Sequence, residues 1–245
     1  FPSDTIVARF VGGCVRKYLS NDEIDDIDVA TILSSSEIEE KFKNTNFRVV
    51  NTGLKHGTVT LISKKIKIEL TTLRKDVETD GRHAQVKFST DWKKDASRRD
   101  FTINAIYSDI DGNLFDPFSG KDDLDKGIIK FIGKPEDRIK EDYLRILRYL
   151  RFYLNYSNYK HDIKISKIIK KNIVGISSLS RERLMDELKK FFKPDLLIKL
   201  SQDDFSLELF EIIFPQLKNI KIFSKMDDYT KSLMKESDFI FLLSL

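Results

Sequence analysis

Short apolar and β-branched runs separated by turn residues occupy the first half of the chain. Such runs are typical of β-strands, because branched and aromatic side chains fit a pleated, half-buried surface. The predicted strands are Val7–Val11, Phe47–Val50, Thr58–Ile62, Ile66–Thr71, Thr102–Ser108 and Ile128–Ile132. We therefore expect a sheet-based domain in this half.

Two stretches between these runs have helical periodicity instead. They cover Cys14–Leu19 and Ser36–Lys43, and a serine among residues 34–36 can cap the second helix through its hydroxyl. Helices interspersed with strands in this way predict an α+β fold for the first half of the chain.

The hydrophobic period changes near residue 135, where one face of a helix begins. Apolar side chains then recur three and four positions apart, at Ile139, Tyr143, Ile146, Leu147, Leu150 and Leu154. Further helices are predicted over Asp162–Lys171, Arg181–Phe192 and Leu207–Phe214, the last ending before Pro215. The second half is therefore predicted to be helical.

Composition narrows the class of protein. The 245 residues are 40% hydrophobic and 33% charged with 5 prolines, which is typical of a globular protein and excludes a disordered or fibrous one. The sequence has no apolar run near the roughly 20 residues that span a bilayer, and residues 1–20 have no signal-peptide pattern. We expect a cytoplasmic protein without a membrane partner. The single cysteine, Cys14, excludes an internal disulfide, and no Cys/His cluster indicates zinc.

Positive charge is concentrated in one segment. Residues 130–171 contain 12 Lys and Arg against 5 Asp and Glu, a net charge of +7, whereas all other residues together carry −3. Such a segment suits a polyanion such as RNA, through phosphate contacts and counterion release. A solvated helix face in a lysine-rich protein explains the same pattern.

The strongest candidate site combines a glycine pair with two closely spaced aspartates. Gly12 and Gly13 precede a helix that carries Arg16, and Asp26 and Asp28 follow. In a strand over residues 26–30 both aspartates point to one face, where their carboxylates repel each other unless a cation lies between them. Mg²⁺ prefers such ligands together with substrate phosphates, and two Mg²⁺ ions stabilise the attacking and leaving oxygens in phosphoryl transfer. Paired glycines let the backbone approach a triphosphate, whose charge Arg16 can neutralise.

Each of these motifs alone has a simpler explanation, since most Asp-x-Asp pairs are loop acids and most Gly-Gly pairs are turns. Later motifs follow in a fixed order: Thr52–Thr58, Leu73–Asp76 with Asp80–Arg82, Arg98–Ala105, Asp116–Phe118 with Gly120, Glu141–Arg145 and Ser180–Arg183. With them, residues 7–192 resemble the class II nucleotidyltransferases, which include bacterial and eukaryotic CCA-adding enzymes and bacterial poly(A) polymerases.

The resemblance implies an organisation and an activity. It implies a polymerase-β-like nucleotidyltransferase head over residues 1–135, with a mixed sheet, a helical neck over 136–193 and the start of a helical body over 194–245. The implied activity is the template-independent addition of C and A to the 3′ end of tRNA from CTP and ATP, with Mg²⁺ bound by Asp26 and Asp28. An A-adding enzyme or a poly(A) polymerase would share these motifs. A degenerate relative that binds RNA without turnover would keep the fold, and the sequence does not indicate the oligomeric state.

The resemblance also gives roles to single side chains in the head. Gly12, Gly13, Arg16, Arg99 and Asp100 are expected to bind the nucleotide, with Asp100 at the ribose hydroxyl. Alone, the motif Arg98–Asp100 would be better explained by a surface salt-bridge cluster.

Base selection is expected from the predicted neck helix, on which Asp142 and Arg145 share a face continued by Arg148 and Arg151. Cytosine and adenine both present an amino donor beside a ring-nitrogen acceptor, which a carboxylate next to a guanidinium can pair with. Uracil and guanine place a carbonyl opposite the carboxylate, which leaves both acceptors unpaired. In the resembled family this helix selects CTP and ATP, and the later arginines also line the nucleotide site. A simple intrahelical ion pair is the alternative.

Three further positions stay open. Glu69 is either a third carboxylate near the metals or a cross-strand ion-pair partner. The segment Asp76–Lys94 resembles the flexible loop associated with addition of the terminal A. Lys17 stands where relatives commonly have aspartate. The chain is also shorter beyond the neck than those relatives, which leaves open how a whole tRNA would be gripped.

Overall fold

The computed structural model describes residues 6–53, 57–64, 66–78, 85–217, 219–237 and 239. The chain forms two compact units. The head unit comprises residues 1–126 and 130–133, and the helical unit comprises residues 127–129 and 134–245. Among the described residues, every helix is too short or too polar to reach across a lipid bilayer.

The head unit is built on a mixed sheet. Its strands are β1 (Ala8–Val11), β2 (Ile27–Thr31), β3 (Arg48–Gly53), β4 (Thr58–Ile62), β5 (Lys67–Thr72), β6 (Arg74–Glu78), β7 (Gln85–Phe88), β8 (Tyr107–Ser108) and β9 (Leu114–Phe115). In the described part of the chain, seven of them form a sheet in the order β3-β4-β5-β2-β1-β8-β9, and β6 pairs with β7. Strands β2 and β5 are parallel, whereas the other neighbouring pairs are antiparallel.

Four helices accompany this sheet in the described residues: α1 (Gly13–Leu19), α2 (Ser35–Phe42), α3 (Trp92–Ser97) and α4 (Gly120–Asp125). A capping box starts α2, because Ser34 accepts the backbone N–H of Glu37 and the Glu37 side chain accepts that of Ser34. Asp91 caps α3 by accepting two backbone N–H groups. The apolar side chains of the sheet form two core clusters, one with Ala96 of α3 and one with Ile38 of α2.

The helical unit consists of α5 (Pro135–Glu141), α6 (Leu144–Tyr156), α7 (Ile163–Asn172), α8 (Arg181–Lys189), α9 (Pro194–Gln202), α10 (Asp204–Ile213) and α11 (Asp228–Glu236). Proline starts α5 and α9, where its missing N–H costs no hydrogen bond. Side chains of aspartate or serine cap α7, α8, α10 and α11. The predicted apolar face of α6 is buried, and α6 packs against α8 and α9.

The α+β fold with a helical second half is confirmed, but three local predictions are wrong. The predicted strand Thr102–Ser108 begins as a 3-10 helix over Thr102–Asn104, and only its last two residues pair as β8. Ile128–Ile132 contributes a single bridge, from Phe131 to Phe101, rather than a strand. The predicted neck helix breaks at Asp142, whose backbone is extended. The first two segments are rich in buried apolar residues, and burial alone does not separate strands from short helical turns.

Candidate active site

Asp28 lies in the middle of the sheet with two other carboxylates nearby. In the parallel register of β2 and β5 it stands opposite Glu69, and Asp26 precedes β2 by one residue. Burial raises the pKa of Asp28, and the negative charges of Glu69 and Asp26 raise it further, against the opposing effects of Arg99 and Lys67. The three acids therefore create a local excess of negative charge, as the interpretation of Asp26 and Asp28 as a cation site requires.

Glu69 forms an ion pair, and its role as a third carboxylate near the metals stays a prediction. Its Oε1 accepts a hydrogen bond from Lys67 Nζ at 2.7 Å. This ion-pair partner lies two residues earlier on the same strand, not across strands as the alternative predicted. Because both side chains are more than 40% exposed, the pair is weakly held, and Glu69 still acts electrostatically on Asp28.

Gly12 shapes the turn between β1 and α1. Its φ of +72° lies in the left-handed region, and a Cβ at this position would lie 3.2 Å from Arg99 Nη1. Glycine therefore allows the Arg99 guanidinium to pack against this turn. A Cβ on Gly13, in contrast, would meet no described atom within 4 Å, so the first residue of α1 borders open space.

The guanidinium of Arg99 is held from several sides. Its Nε donates to Tyr107 Oη at 3.1 Å, its Nη1 to the Asn104 carbonyl at 3.4 Å, and its Nη2 to Asp95 Oδ2 at 3.4 Å. The side chain remains 20% exposed. Arg99 is thus fixed in place while part of it stays accessible, and its positive charge acts on Asp28.

The sequence interpretation missed Asp95, which organises this corner of the head unit. Its carboxylate is 1% exposed and accepts hydrogen bonds from Arg98 at 2.9 and 3.0 Å and from Tyr107 Oη at 2.7 Å. Burial alone would raise the pKa of Asp95, but the charges of Arg98 and Arg99 and the Tyr107 hydrogen bond lower it overall. The spacing of three and four residues from Asp95 to the two arginines was the available signal.

A chain of hydrogen bonds joins the glycine motif to the Arg98–Ala105 motif. Arg16, 6% exposed, donates to the Asn104 side-chain oxygen, and the Asn104 amide donates to Asp100 Oδ1 at 2.9 Å. Asp100 Oδ1 also accepts the backbone N–H of Phe101. The structure therefore gives Arg16 a supporting role beneath Asp100, and its direct contact with a triphosphate stays a prediction.

The sequence predicts that Asp142 and Arg145 lie on one helix of the helical unit. In the structure they do not. Asp142 lies between α5 and α6, where its Oδ1 accepts the backbone N–H of Leu144 at 3.2 Å and its Oδ2 accepts Arg183 Nη2 at 2.8 Å. A carboxylate that accepts a backbone N–H two residues ahead competes with the helical hydrogen-bond pattern and favours a break at this point. The predicted intrahelical pair is thus replaced by an ion pair with Arg183, which the Ser180–Arg183 motif supplies.

The arginines that follow are each held by an acidic or aromatic neighbour. Arg145 Nη1 donates to Glu141 Oε2 at 2.8 Å and to the Arg138 carbonyl at 2.7 Å. Arg151 Nε donates at 2.6 Å to Glu187, which is 1% exposed, and Arg148 packs over the ring of Phe152. Glu187 was not singled out from the sequence, although it lies at the helical spacing of four residues after Arg183.

Two predicted motifs lie partly outside the described residues. Asp80–Arg82 falls wholly outside them, although β6 and β7 on either side of it pair as a hairpin. Residues 54–56 of the Thr52–Thr58 motif also fall outside. Their proposed roles stay predictions.

These features belong to a known fold family. The model of the poly A polymerase head domain matches residues 8–130, just over half of the chain. This chain is a member of the poly A polymerase head domain family. The match contains the glycine turn, both aspartates of the β2 region and the Arg98–Ala105 motif.

Individual relatives of this family member are CCA-adding enzymes. Human mitochondrial CCA tRNA nucleotidyltransferase 1 is 46% identical over 185 residues, which cover 74% of this chain and 43% of the human protein. The Bacillus stearothermophilus CCA-adding enzyme in complex with CTP has a TM-score of 0.70 and 25% identity, covering 97% of this chain and 63% of that one. A tRNA nucleotidyltransferase complexed with a primer tRNA and an incoming ATP analogue has a TM-score of 0.71 and 28% identity, covering 89% of this chain and 63% of that one. This chain therefore spans less than half the length of the human protein.

The carboxylates of this family member fit a magnesium site completed by substrate. The described residues contain no group of three or more His, Cys, Asp or Glu side chains arranged to hold a metal ion by themselves. Mg²⁺ is usually bound by one or two carboxylates, with water and substrate phosphates as its other ligands. Asp26 and Asp28 supply that number of hard oxygen donors, and a cation would offset both the burial of Asp28 and the repulsion by Glu69 and Asp26 that together raise its pKa.

Proposed function

We propose that the chain is the nucleotide-transferring part of a CCA-adding enzyme, which extends the 3′ end of tRNA with C and A from CTP and ATP without a nucleic-acid template. The acidic cluster around Asp28, beside the Gly12 turn and Arg99, is the observation that carries this proposal. The names of the relatives support the choice of reaction, because they include a CCA tRNA nucleotidyltransferase, a CCA-adding enzyme in complex with CTP and a tRNA nucleotidyltransferase complexed with a primer tRNA.

Asp26 and Asp28 are the proposed Mg²⁺ ligands. The bound metal would lower the charge on the triphosphate and stabilise the attacking and leaving oxygens. The protein's own contribution is position: β2 fixes Asp28, and the half-buried setting strengthens its interaction with a cation because little water competes. Glu69, opposite Asp28, keeps the local field negative.

The nucleotide is proposed to bind at the Gly12–Gly13 turn. Gly13 borders open space there, and Arg99 offers a partly exposed guanidinium held by Asp95 and Tyr107. A preorganised cation costs no reorganisation when negative charge develops on a phosphate. Asp100, supported through Asn104 by Arg16, is the proposed ribose contact.

Base selection is proposed to rest on the helical unit. Asp142 would accept the amino group that cytosine and adenine share, and Arg145 would donate to their ring nitrogen. Arg183 and Glu141 hold these two groups, so each would present a fixed orientation to a base. Arg148 and Arg151 are proposed to line the same nucleotide site.

The proposed domain boundaries are those predicted from the sequence. The head is residues 1–135, the neck is residues 136–193, and the start of the body is residues 194–245.

The cytoplasmic location predicted from the sequence stays a proposal. The name of the human relative places that protein in the mitochondrion, whereas other relatives are bacterial CCA-adding enzymes. Fractionation of cells that express the tagged full-length protein would distinguish the two locations.

The proposed reaction is tested by offering the purified protein tRNAs that end before CCA, after C and after CC, each with one labelled ribonucleotide. Ordered incorporation of C and then A is expected. Incorporation of A alone on the CC-ended tRNA would indicate an A-adding enzyme instead, and long A tracts on unrelated RNA would indicate a poly(A) polymerase.

Asp26→Ala separates an enzyme from a degenerate RNA-binding relative. The proposal expects loss of incorporation with RNA binding retained, since Asp26 is exposed and contributes no core packing. Incorporation at the wild-type rate in this variant would show that the assignment of Asp26 is wrong.

A further inference from the structure

In the basic segment, residues 130–171, the arginines and the lysines of α7 differ in their surroundings. The arginines are engaged inside the helical unit, for example Arg145 with Glu141 and Arg151 with Glu187, and both guanidinium groups are nearly buried. The four lysines of α7 differ because every one of them is exposed. They form what we call the α7 lysine face: Lys164, Lys167, Lys170 and Lys171.

The lysines lie on one side of α7. At about 100° per residue, the four positions fall within roughly 120° of the helix circumference. The apolar residues Ile165, Ile168 and Ile169 lie on the other side, where Ile169 is fully buried, and α7 packs against α5. The lysine side of the helix therefore faces solvent.

The positive charge of this face is only partly balanced. No acidic residue occurs within α7. Lys170 and Lys171 form exposed ion pairs with Glu208 and Glu136, at 2.7 and 2.9 Å, and such pairs contribute little and exchange readily for another anion. Within the described ranges, neither Lys164 nor Lys167 has an ion-pair partner.

We propose that the α7 lysine face binds the phosphodiester backbone of RNA. The inference rests on the proposed function, because a protein that extends tRNA must hold its RNA. Lysines are point charges that contact phosphates without reading sequence, and α7 is about 15 Å long, enough to lie along several phosphates. An anionic membrane is a poorer match, since an interfacial helix must offer its apolar side to lipid and that side of α7 packs against the protein.

The test measures binding of a labelled CC-ended tRNA at several salt concentrations. It compares the wild-type protein with Lys164→Gln/Lys167→Gln, which removes two charges and no ion pair of the described residues. Losing two phosphate contacts should lower the slope of log affinity against log salt by about 1.4. Over a fourfold rise in salt, the wild-type protein should then lose about sevenfold more affinity than the variant.

The matched control is Lys221→Gln/Lys225→Gln, which removes the same charge at two exposed lysines of the helical unit outside α7. Its salt slope and affinity should stay close to the wild-type values, and both variants should unfold at the wild-type temperature. An unchanged slope in the α7 variant, or an equal change in both variants, would overturn the proposal. So would loss of binding to phosphatidylserine vesicles in the α7 variant with RNA binding intact.

The experiments distinguish an error in the proposed function from an error in the proposal that the α7 lysine face binds RNA. A wild-type protein that binds RNA through α7 and adds no nucleotide would contradict the catalytic proposal alone. The RNA-binding proposal alone would be contradicted if the wild-type protein adds nucleotides and the α7 variant binds tRNA with the wild-type affinity and salt slope.

Discussion

Charged side chains are arranged differently in the two units. In the head unit, burial raises the pKa of Asp28, and its acidic neighbours Glu69 and Asp26 raise it further against the opposing effects of Arg99 and Lys67. In the helical unit, by contrast, several carboxylates are held in direct ion pairs with arginines. The clearest is Glu187, whose pKa is lowered because Arg151, Arg148 and Lys190 outweigh the effect of its burial.

This difference shows which charges the folded chain balances by itself. A buried charge with a partner contributes to the structure, whereas a cluster of like charges is unfavourable until a ligand of opposite charge arrives. The comparison therefore supports the proposal that a cation binds in the head unit. The paired charges of the helical unit position side chains instead.

The largest effect is expected from Asp28→Asn in the head unit. Loss of a metal-binding carboxylate should lower nucleotide incorporation about a thousandfold, since metal stabilisation of the transition state is worth several kcal/mol. The melting temperature at pH 7 should not fall. An acid whose folded pKa is raised costs stability above its unfolded pKa, and asparagine removes that cost.

Asp111→Asn, at an exposed position of the same unit, is the control and should change neither quantity. If Asp28→Asn instead lowered the melting temperature strongly, Asp28 would be a structural group like those of the helical unit.

The second effect is expected from Glu187→Gln in the helical unit. Breaking a buried ion pair should lower the free energy of unfolding by about 3 kcal/mol and the melting temperature by roughly 6–12 °C. Because the folded pKa of Glu187 is lowered, its contribution is complete above the unfolded pKa and is lost as pH falls through the folded pKa. Wild-type and variant stabilities should therefore converge on acidification.

Asp186→Asn removes the neighbouring carboxylate, which is 70% exposed and lies 3.7 Å from Lys189. Its free energy of unfolding should change by less than about 0.5 kcal/mol. Equal destabilisation by the two variants would contradict the view that the buried pair is the structural one.

Asp95→Asn tests whether a buried charge of the head unit positions Arg99. A guanidinium displaced by even 1 Å should lower kcat/KM for nucleotide incorporation about a hundredfold. The control, Asp91→Asn, changes the cap of the same helix without touching Arg99. A loss of stability in Asp95→Asn with kcat/KM unchanged would show that Asp95 serves the fold only.

The smallest effect is expected from Asp142→Asn, which changes an acceptor into a group that can also donate. Preference for CTP and ATP over UTP and GTP should fall about tenfold, the worth of one hydrogen bond of roughly 1.4 kcal/mol. Competition assays with mixed labelled nucleotides measure this preference, and Asp137→Asn, at an exposed position of α5, is the control. Unchanged preference would remove Asp142 from base selection.

Local spacing was enough to predict much of the head unit and of the site. The period-two runs gave β4 at its observed bounds, and Ser34 was among the serines predicted to cap α2. Gly12 and Asp28 were singled out by the order and spacing of the glycine pair and the two aspartates, and Arg99 by the resemblance to the class II nucleotidyltransferases. The structure brings Arg99 against the Gly12 turn and within electrostatic range of Asp28.

Other features depend on contacts distant in sequence, which periodicity does not contain. Asp142 follows the last residue of α5, and its carboxylate is held by Arg183, 41 residues away. The tight turn at Thr102–Asn104 replaces a predicted strand, and there Asn104 connects Arg16 with Asp100. Local propensity is overridden at such points by tertiary hydrogen bonds.

The most direct test of the central claim counts the Mn²⁺ ions bound by the protein at saturating CTP, by electron paramagnetic resonance, with CTP alone as the blank. The wild-type chain should retain at least one more bound ion than the Asp26→Asn/Asp28→Asn variant. Equal Mn²⁺ binding by the two folded proteins would contradict the assignment of these carboxylates as the metal ligands.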